Sequence, residues 1–354
     1  MTDMRTEAAA HEPSPLSPPI SPTNRQSATN RDDARPVRPP AEFIANGSDL
    51  IQSIAANVAR AVHGKDDQVA LAVLCMAAEG HLLVEDVPGV GKTLMAKALA
   101  RSVGGETSRV QFTPDLLPSD LTGVTILSQV TGEFSFRPGP VFANVVLCDE
   151  INRASPKVQS SLLEAMEERQ VSVDNQTHML PRPFMVIATQ NPIEQDGTYP
   201  LPESQLDRFL ARLSLGYPDR EAEIAVMRQT SNRGSIDDLE PVTDIETVRR
   251  LTQLVASLHV APVLLGYVVD VLSVSRTHPE LRLGASPRAG QSWIRLARAR
   301  ALMKGRDFVT PDDLRMSAAP VLSHRLLGRS RSTDVGAVLN SIMAAVPVPG
   351  SRKG

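Results

Sequence analysis

The chain has 354 residues, enough for two domains with tails, and its 42% apolar and 22% charged content is that of an ordinary soluble globular protein. A net charge of −3 gives neither nucleic acid nor an acidic membrane an electrostatic footing, and 3% aromatic content requires a mostly aliphatic core. Cys75 and Cys148 both stand in apolar runs, so they read as buried free thiols of a reducing compartment. The longest apolar run, Ala70 to Ala78, is too short for a membrane span, and no hydrophobic block marks a secretory signal. A cytoplasmic location is expected.

Residues 1–41 carry recurrent prolines (Pro13, Pro15, Pro18, Pro19, Pro22, Pro36, Pro39, Pro40) among polar residues, and almost nothing there could be buried. A disordered tail is expected. From Asp49 a helical stripe begins with Ile51, Ile54, Val58 and Val62. A second helix is predicted over Asp67 to Glu79, stopped by a left-handed Gly80. His81-Leu82-Leu83-Val84 then reads as an apolar strand.

That strand runs into Asp86-Val87-Pro88-Gly89-Val90-Gly91-Lys92-Thr93-Leu94 and a helix reaching Val103. A strand, a glycine-rich turn and a helix N-terminus aim successive backbone N–H groups at one point, which suits a triphosphate. Lys92 would reach the β- and γ-phosphates, and the Thr93 hydroxyl would ligate Mg²⁺. The strict phosphate-loop pattern expects Gly where Asp86 stands. That position only begins the turn; the cradle is built by Gly89 to Thr93.

Further strands are predicted at Arg109 to Phe112, Val145 to Cys148, Phe184 to Thr189 and Arg212 to Leu215. Continuous apolar strands alternating with helices imply a parallel sheet covered on both faces. Two β-hairpins interrupt the alternation. One is Gly123 to Leu127 with Glu133 to Phe136 around Thr131-Gly132; the other is Val171 to Val173 with Thr177 to Leu180 around Asn175. After Pro218 the strands stop. Helices are predicted over Asp219 to Thr230, Asp244 to Leu258, Pro262 to Arg276, Pro287 to Lys304, Pro311 to Leu322 and Asp334 to about Val346. Thr243 with Glu246 reads as a capping box, and Ser286-Pro287 and Thr310-Pro311 as helix starts. The expected divisions are an α/β domain over 42–217, an all-helical domain over 218–346 and a flexible end over 347–354.

The third strand delivers Asp149 and Glu150 at its C-terminal tip, where open α/β sheets bind ligands. Asp149 would hold Mg²⁺ opposite Thr93, and Glu150 would polarise a water for in-line attack on the γ-phosphate. Asn191, at the next tip, would orient the same water; otherwise it only makes a turn before Pro192. Arg208, on what reads as a short helix over Leu206 to Phe209, would be an outward cation for a neighbouring phosphate, or else a partner of Asp207 or Glu203. Arg288 sits in the first turn of a helix, the unfavourable end for a cation, which suggests a role in contacting nucleotide.

Taken together the motifs resemble the AAA+ ATPases, and within them the MoxR family. They are Val-Pro-Gly-Val-Gly-Lys-Thr, Cys-Asp-Glu-Ile-Asn-Arg-Ala-Ser-Pro-Lys-Val-Gln over 148–159, Glu164-Ala165-Met166-Glu167-Glu168, Ala188 to Pro192, Leu201-Pro202-Glu203 with Leu206 to Phe209, and Gly284 to Arg288. The resemblance spans about residues 45–345. It implies a P-loop AAA+ core with a parallel sheet, the hairpins as insertions, and a helical lid. Lys92 and Thr93 would form Walker A, and Asp149 and Glu150 Walker B. Asn191 would be sensor 1, Arg208 the arginine finger acting on the neighbouring subunit's ATP, and Arg288 sensor 2. It further implies ATP and Mg²⁺ as cofactors, a hexameric ring, and chaperone-like remodelling in complex maturation or metal-cofactor insertion. A partner with a von Willebrand factor A domain is expected.

Two other functions remain conceivable on the sequence: a nucleotide-gated binding switch with little turnover, and a DNA remodeller. Glu150 argues against the first, and the net charge and scarce aromatics against the second. Asn152 and Arg153 read equally well as interface residues or as a turn leading a helix. The turn Val62-His63-Gly64 is a candidate adenine contact.

Overall fold

The computed structural model describes residues 38–86, 90–127, 129, 132–191, 198–217, 220, 224, 236, 238–330 and 332–350, and Arg38–Gly354 forms one compact unit. Residues 1–37 of the expected tail, 351–354 of the expected flexible end, the helix expected over Asp219 to Thr230 except Arg220 and Ile224, and Val87, Pro88, Gly89, Thr131 and Pro192 lie outside the described residues.

Five parallel strands form the central sheet: β1 (Leu82–Glu85), β2 (Thr107–Gln111), β5 (Val145–Asp149), β8 (Met185–Gln190) and β9 (Ala211–Leu213). Their spatial order is β2-β5-β8-β1-β9. All five match strands expected from sequence, with ends moved by one or two residues. Alternate residues face opposite layers, as a pleated strand dictates. Leu82, Val84, Val145, Leu147, Met185 and Ile187 join one apolar core, and Leu83, Val146, Cys148, Val186 and Ala188 the other. The first core is covered by α1 (Ala41–Ala59), α2 (Asp66–Ala77), α3 (Lys92–Ser102) and the C-terminal helices. The second lies under α4 (Pro118–Thr122) and α5 (Pro156–Glu168).

The chain leaves β1 through α3 for the far edge of the sheet, then works back to β8 and β9 on either side of β1. The C-terminal end of β1 is therefore a topological switch point, where such sheets open a crevice.

Both expected hairpins form: β3 (Gly123–Leu127) with β4 (Phe134–Pro138), and β6 (Gln170–Val173) with β7 (Gln176–Met179). Asp174 and Asn175 both take positive φ at the second turn, the conformation that a two-residue hairpin loop requires. The hairpins touch through Phe136 and His178, stacked with centroids 3.8 Å apart and planes 14° apart.

The C-terminal part contains α6 (Glu203–Leu206), α7 (Ile245–Ser257), α8 (Pro262–Thr277), α9 (Pro287–Met303), α10 (Pro311–Leu322) and α11 (Val335–Ala345). Several expectations need correction. The first helix begins at Ala41, eight positions before Asp49, directly after Pro40, and ends before Val62. The left-handed residue after α2 is Glu79 at φ 54°, and Gly80 is instead required by space, because a Cβ there would lie 2.3 Å from Leu210 Cδ2. The cap of α7 is Asp244, whose carboxylate accepts from Thr247 N at 2.7 Å, in place of Thr243. Among the described residues after Pro218 the helices are interrupted by a ribbon, β10 (Leu281–Leu283) paired with β11 (Leu327–Gly328), which no periodic signal announces.

Candidate active site

The crevice at the end of β1 is bounded by the first turn of α3. Gly91 precedes that helix in a left-handed conformation at φ 96°, which favours glycine, and no side chain caps the helix. A helix N-terminus directs its first backbone N–H groups outward along the axis, where an anion can meet them. Val90, Gly91, Lys92, Thr93 and Leu94 are all half-buried around this turn, with Val90 and Leu94 packed against the core. Lys92 Nζ donates to the Asp86 carbonyl at 3.2 Å, which places the ammonium over the phosphate turn.

Asp86 has a different task from phosphate contact. Its buried carboxylate accepts from Ser214 Oγ at 3.2 Å, Gly216 N at 3.1 Å and Leu215 N. It thereby fastens the exit of β1 to the segment after β9, which explains why an acid can stand where the strict motif has glycine.

Asp149 and Glu150 leave the tip of β5, one strand removed from β1 across β8. Asp149 is buried, accepts from Arg109 Nε at 2.7 Å and accepts from the Thr189 hydroxyl at 3.3 Å. Glu150 occupies the left-handed region at φ 57° and ψ 50°, a conformation that costs a non-glycine residue free energy and collects at functional sites. Its backbone N–H donates to Thr189 Oγ1 at 3.0 Å. Its carboxylate accepts from Gln111 Nε2 at 2.7 Å and pairs with Arg153 Nε at 3.1 Å. Asn191 follows directly on β8, on the same rim. Asn152 is buried, with its backbone carbonyl accepting from Tyr199 N at 2.6 Å.

Arg109, Gln111 and Thr189 were not anticipated. Arg109 and Gln111 are two residues apart on β2 and so share one face. That spacing, beside a strand ending in Asp-Glu, was the available signal. The Thr93 hydroxyl and the Asp149 carboxylate offer oxygen donors only, which suits a hard cation such as Mg²⁺, and the uncapped α3 suits a triphosphate.

Arg208 and Arg288 lie elsewhere. Arg208 follows the short helix, which ends at Leu206, and precedes β9. Leu210 N donates to the His81 carbonyl at 2.8 Å, which sets this turn at the entrance of β1. The stretch from His81 to Asp86, at about 3.3 Å per residue, separates that entrance from the phosphate turn by roughly 16 Å. Arg208 NH1 donates to the Leu163 carbonyl at 2.7 Å and pairs with Glu167 Oε2 at 3.3 Å; its partner is neither Asp207 nor Glu203. Arg288 NH1 donates to Glu167 Oε1 at 2.8 Å. The two arginines expected at the nucleotide therefore gather on one carboxylate, at the opposite end of the sheet from this chain's own phosphate turn.

The sequence of residues 81–211 matches the family model described as ATPase family associated with various cellular activities (AAA), and residues 273–342 match that of the AAA lid domain. The chaperone MoxR1 of Mycobacterium tuberculosis is 41% identical over 87% of this chain and 85% of its own length. Protein MoxR of Paracoccus denitrificans is 33% identical over 81% of this chain and 93% of its own length. The uncharacterized protein YeaC of Bacillus subtilis is 46% identical over 86% and 96% respectively. A crystal structure of a candidate ATPase from Cytophaga hutchinsonii superposes with a TM-score of 0.81 at 35% identity, covering 87% of this chain and 97% of that one. With its parallel sheet, phosphate turn, Asp-Glu strand tip and helical lid, the chain belongs to the MoxR family of AAA+ ATPases.

Proposed function

We propose that the chain hydrolyses ATP at interfaces between subunits of a ring, expected to be a hexamer, and uses the cycle to remodel protein clients. The observation that carries this is the distance between the two halves of the machinery. Lys92, Thr93, Asp149, Glu150 and Asn191 border one end of the sheet, and Arg208 and Arg288 stand at the other. Cations so placed serve a triphosphate held by a neighbouring copy.

Within one site the N–H groups of α3 and Lys92 bind the phosphates, and Thr93 and Asp149 hold the metal. Glu150 takes the proton of the attacking water, which Asn191 helps to orient. Mg²⁺ held by Thr93 and Asp149 would neutralise charge on the phosphate oxygens. Both arginines of the adjoining subunit meet the charge that develops on transfer. Residues 42–217 act as the nucleotide-binding domain and 218–346 as the lid. The hairpins meet the client: Phe134 is 74% exposed, Met179 60% and Leu127 53%. Complex maturation or metal-cofactor insertion with a von Willebrand factor A partner, in the cytoplasm, is the setting that the family suggests.

Mixing two inactive variants tests the interface. Glu150→Gln lacks the base but keeps its arginines; Arg208→Ala has the reverse defect. Equal mixing should return roughly a quarter of native turnover, because about one interface in four then unites an intact site with an intact finger. A mixture as inactive as its components would refute shared sites. Nucleotide binding by the native chain without phosphate release would point to the binding switch.

A further inference from the structure

We propose that Glu167 is a positioning residue that sets Arg208 and Arg288 side by side for the neighbouring subunit's triphosphate. The inference rests on the interface reading above and assigns a task to the Glu164-Ala165-Met166-Glu167-Glu168 run, which the phosphate chemistry leaves without one.

Three observations support it. The carboxylate is bridged, with Oε1 accepting from Arg288 NH1 at 2.8 Å and Oε2 facing Arg208 NH1 at 3.3 Å. Each arginine uses only NH1 for this; Nε and NH2 of both make no hydrogen bond among the described residues, so two donor edges stay available for phosphate oxygens. Glu167 thus aligns the guanidinium groups without exhausting them.

The second observation concerns helix ends. Glu167 lies in the last turn of α5, which has no basic residue, and Arg288 lies in the first turn of α9, which has no acidic one. Each charge sits at the wrong end of its own helix dipole. Facing each other, they offset both penalties, so their joint placement accounts for two features that neither helix explains alone.

Third, the carboxylate is fixed from behind. Met166, its neighbour, accepts from buried His81 Nε2 at 3.1 Å, and His81 Nδ1 accepts from Val186 N at 3.0 Å. The end of α5 is thereby tied to the entrances of β1 and β8. Ser286, which caps α9 by accepting from Ala289 N at 3.1 Å, donates to Asp207 Oδ2 at 2.9 Å. That bond joins the segments carrying the two arginines. Without Glu167, two like charges would face each other across this junction and swing apart.

The test is a kinetic cycle on the assembled full chain, with kcat, KM for ATP, ring mass and Tm measured for native, Glu167→Gln, Arg208→Ala and combined variants. Glu167→Gln should lower kcat about tenfold or more while KM, ring mass and Tm stay native. In a chain already carrying Arg208→Ala and Arg288→Ala, followed under single-turnover conditions, it should cause no further loss. An equal fold-loss in that background, an unchanged or raised kcat, or a loss that merely tracks a lowered Tm would overturn the proposal. If Arg208→Ala itself keeps native turnover, the interface reading fails and this inference falls with it. If Arg208→Ala is inactive while Glu167→Gln is native, the positioning proposal alone fails.

Discussion

Replacing Arg325 with Met should loosen the junction between lid and sheet more than any surface change. Arg325 follows α10, and its side chain is only 2% exposed. Nε donates to Asp207 Oδ1 at 2.6 Å; NH1 donates to the carbonyls of Leu210 at 3.3 Å and of Val321. NH2 reaches the carbonyls of Phe209 at 2.6 Å and Asp207 at 3.1 Å, and Ser292 Oγ at 3.2 Å. Methionine fills much of the volume but leaves a half-buried carboxylate and several carbonyls without a donor. Breaking a buried ion pair from one side costs about 3–5 kcal/mol. At about 2–4 °C per kcal/mol for a unit of this general size, Tm should fall by at least about 6 °C. Lysine should rescue only part of the loss, since an ammonium cannot reproduce the fork. Scanning calorimetry of the three chains measures this. A Met variant within about 2 °C of native would show that the network contributes little beyond packing. Turnover should fall too, because Asp207 adjoins Arg208.

Three other outcomes are expected. Lys92→Ala should weaken ATP binding by roughly a hundredfold with Tm of the nucleotide-free chain unchanged, as titration with a fluorescent ATP analogue would reveal. His81 is held down at about 3, chiefly by burial, with Arg169 and Arg295 adding to the shift. Since the unfolded imidazole titrates near 6.5, its contribution is intact above that pH and is lost as pH falls toward 3, by up to about 1.4 kcal/mol per pH unit. Unfolding free energies from urea titrations should therefore fall between pH 7.5 and 5.5 by up to about 1.4 kcal/mol more in the native chain than in His81→Gln; parallel pH dependence would contradict this. Gly80→Ala should cost about 1–3 kcal/mol in urea unfolding through its clash with Leu210.

Much of the fold was legible because it is written locally. The strands entering β1, β5 and β8 are unbroken apolar runs, and the starts at Ser286-Pro287 and Thr310-Pro311 carry their caps beside them. What escaped depends on distant partners. Glu79 tolerates a left-handed backbone while its carbonyl accepts from Arg295 NH2 at 2.7 Å, so the stop signal was credited to the glycine beside it. β10 and β11 are too short to show a period and exist by pairing with each other. The strand that delivers Asp149 and Glu150, and the glycine turn into α3 at Gly91, could be placed from spacing. The meeting of Arg208 and Arg288 on Glu167 could not, since no local pattern links residues so far apart in the chain.

The ring stack of Phe136 on His178 bears on motion. One hairpin emerges ahead of the strand that carries Glu150 and the other follows the helix behind it. Independent arms so rooted would tilt separately whenever that strand and helix shift. Held face to face, they would move as one body, so that a shift in that strand or helix would carry both hairpins together.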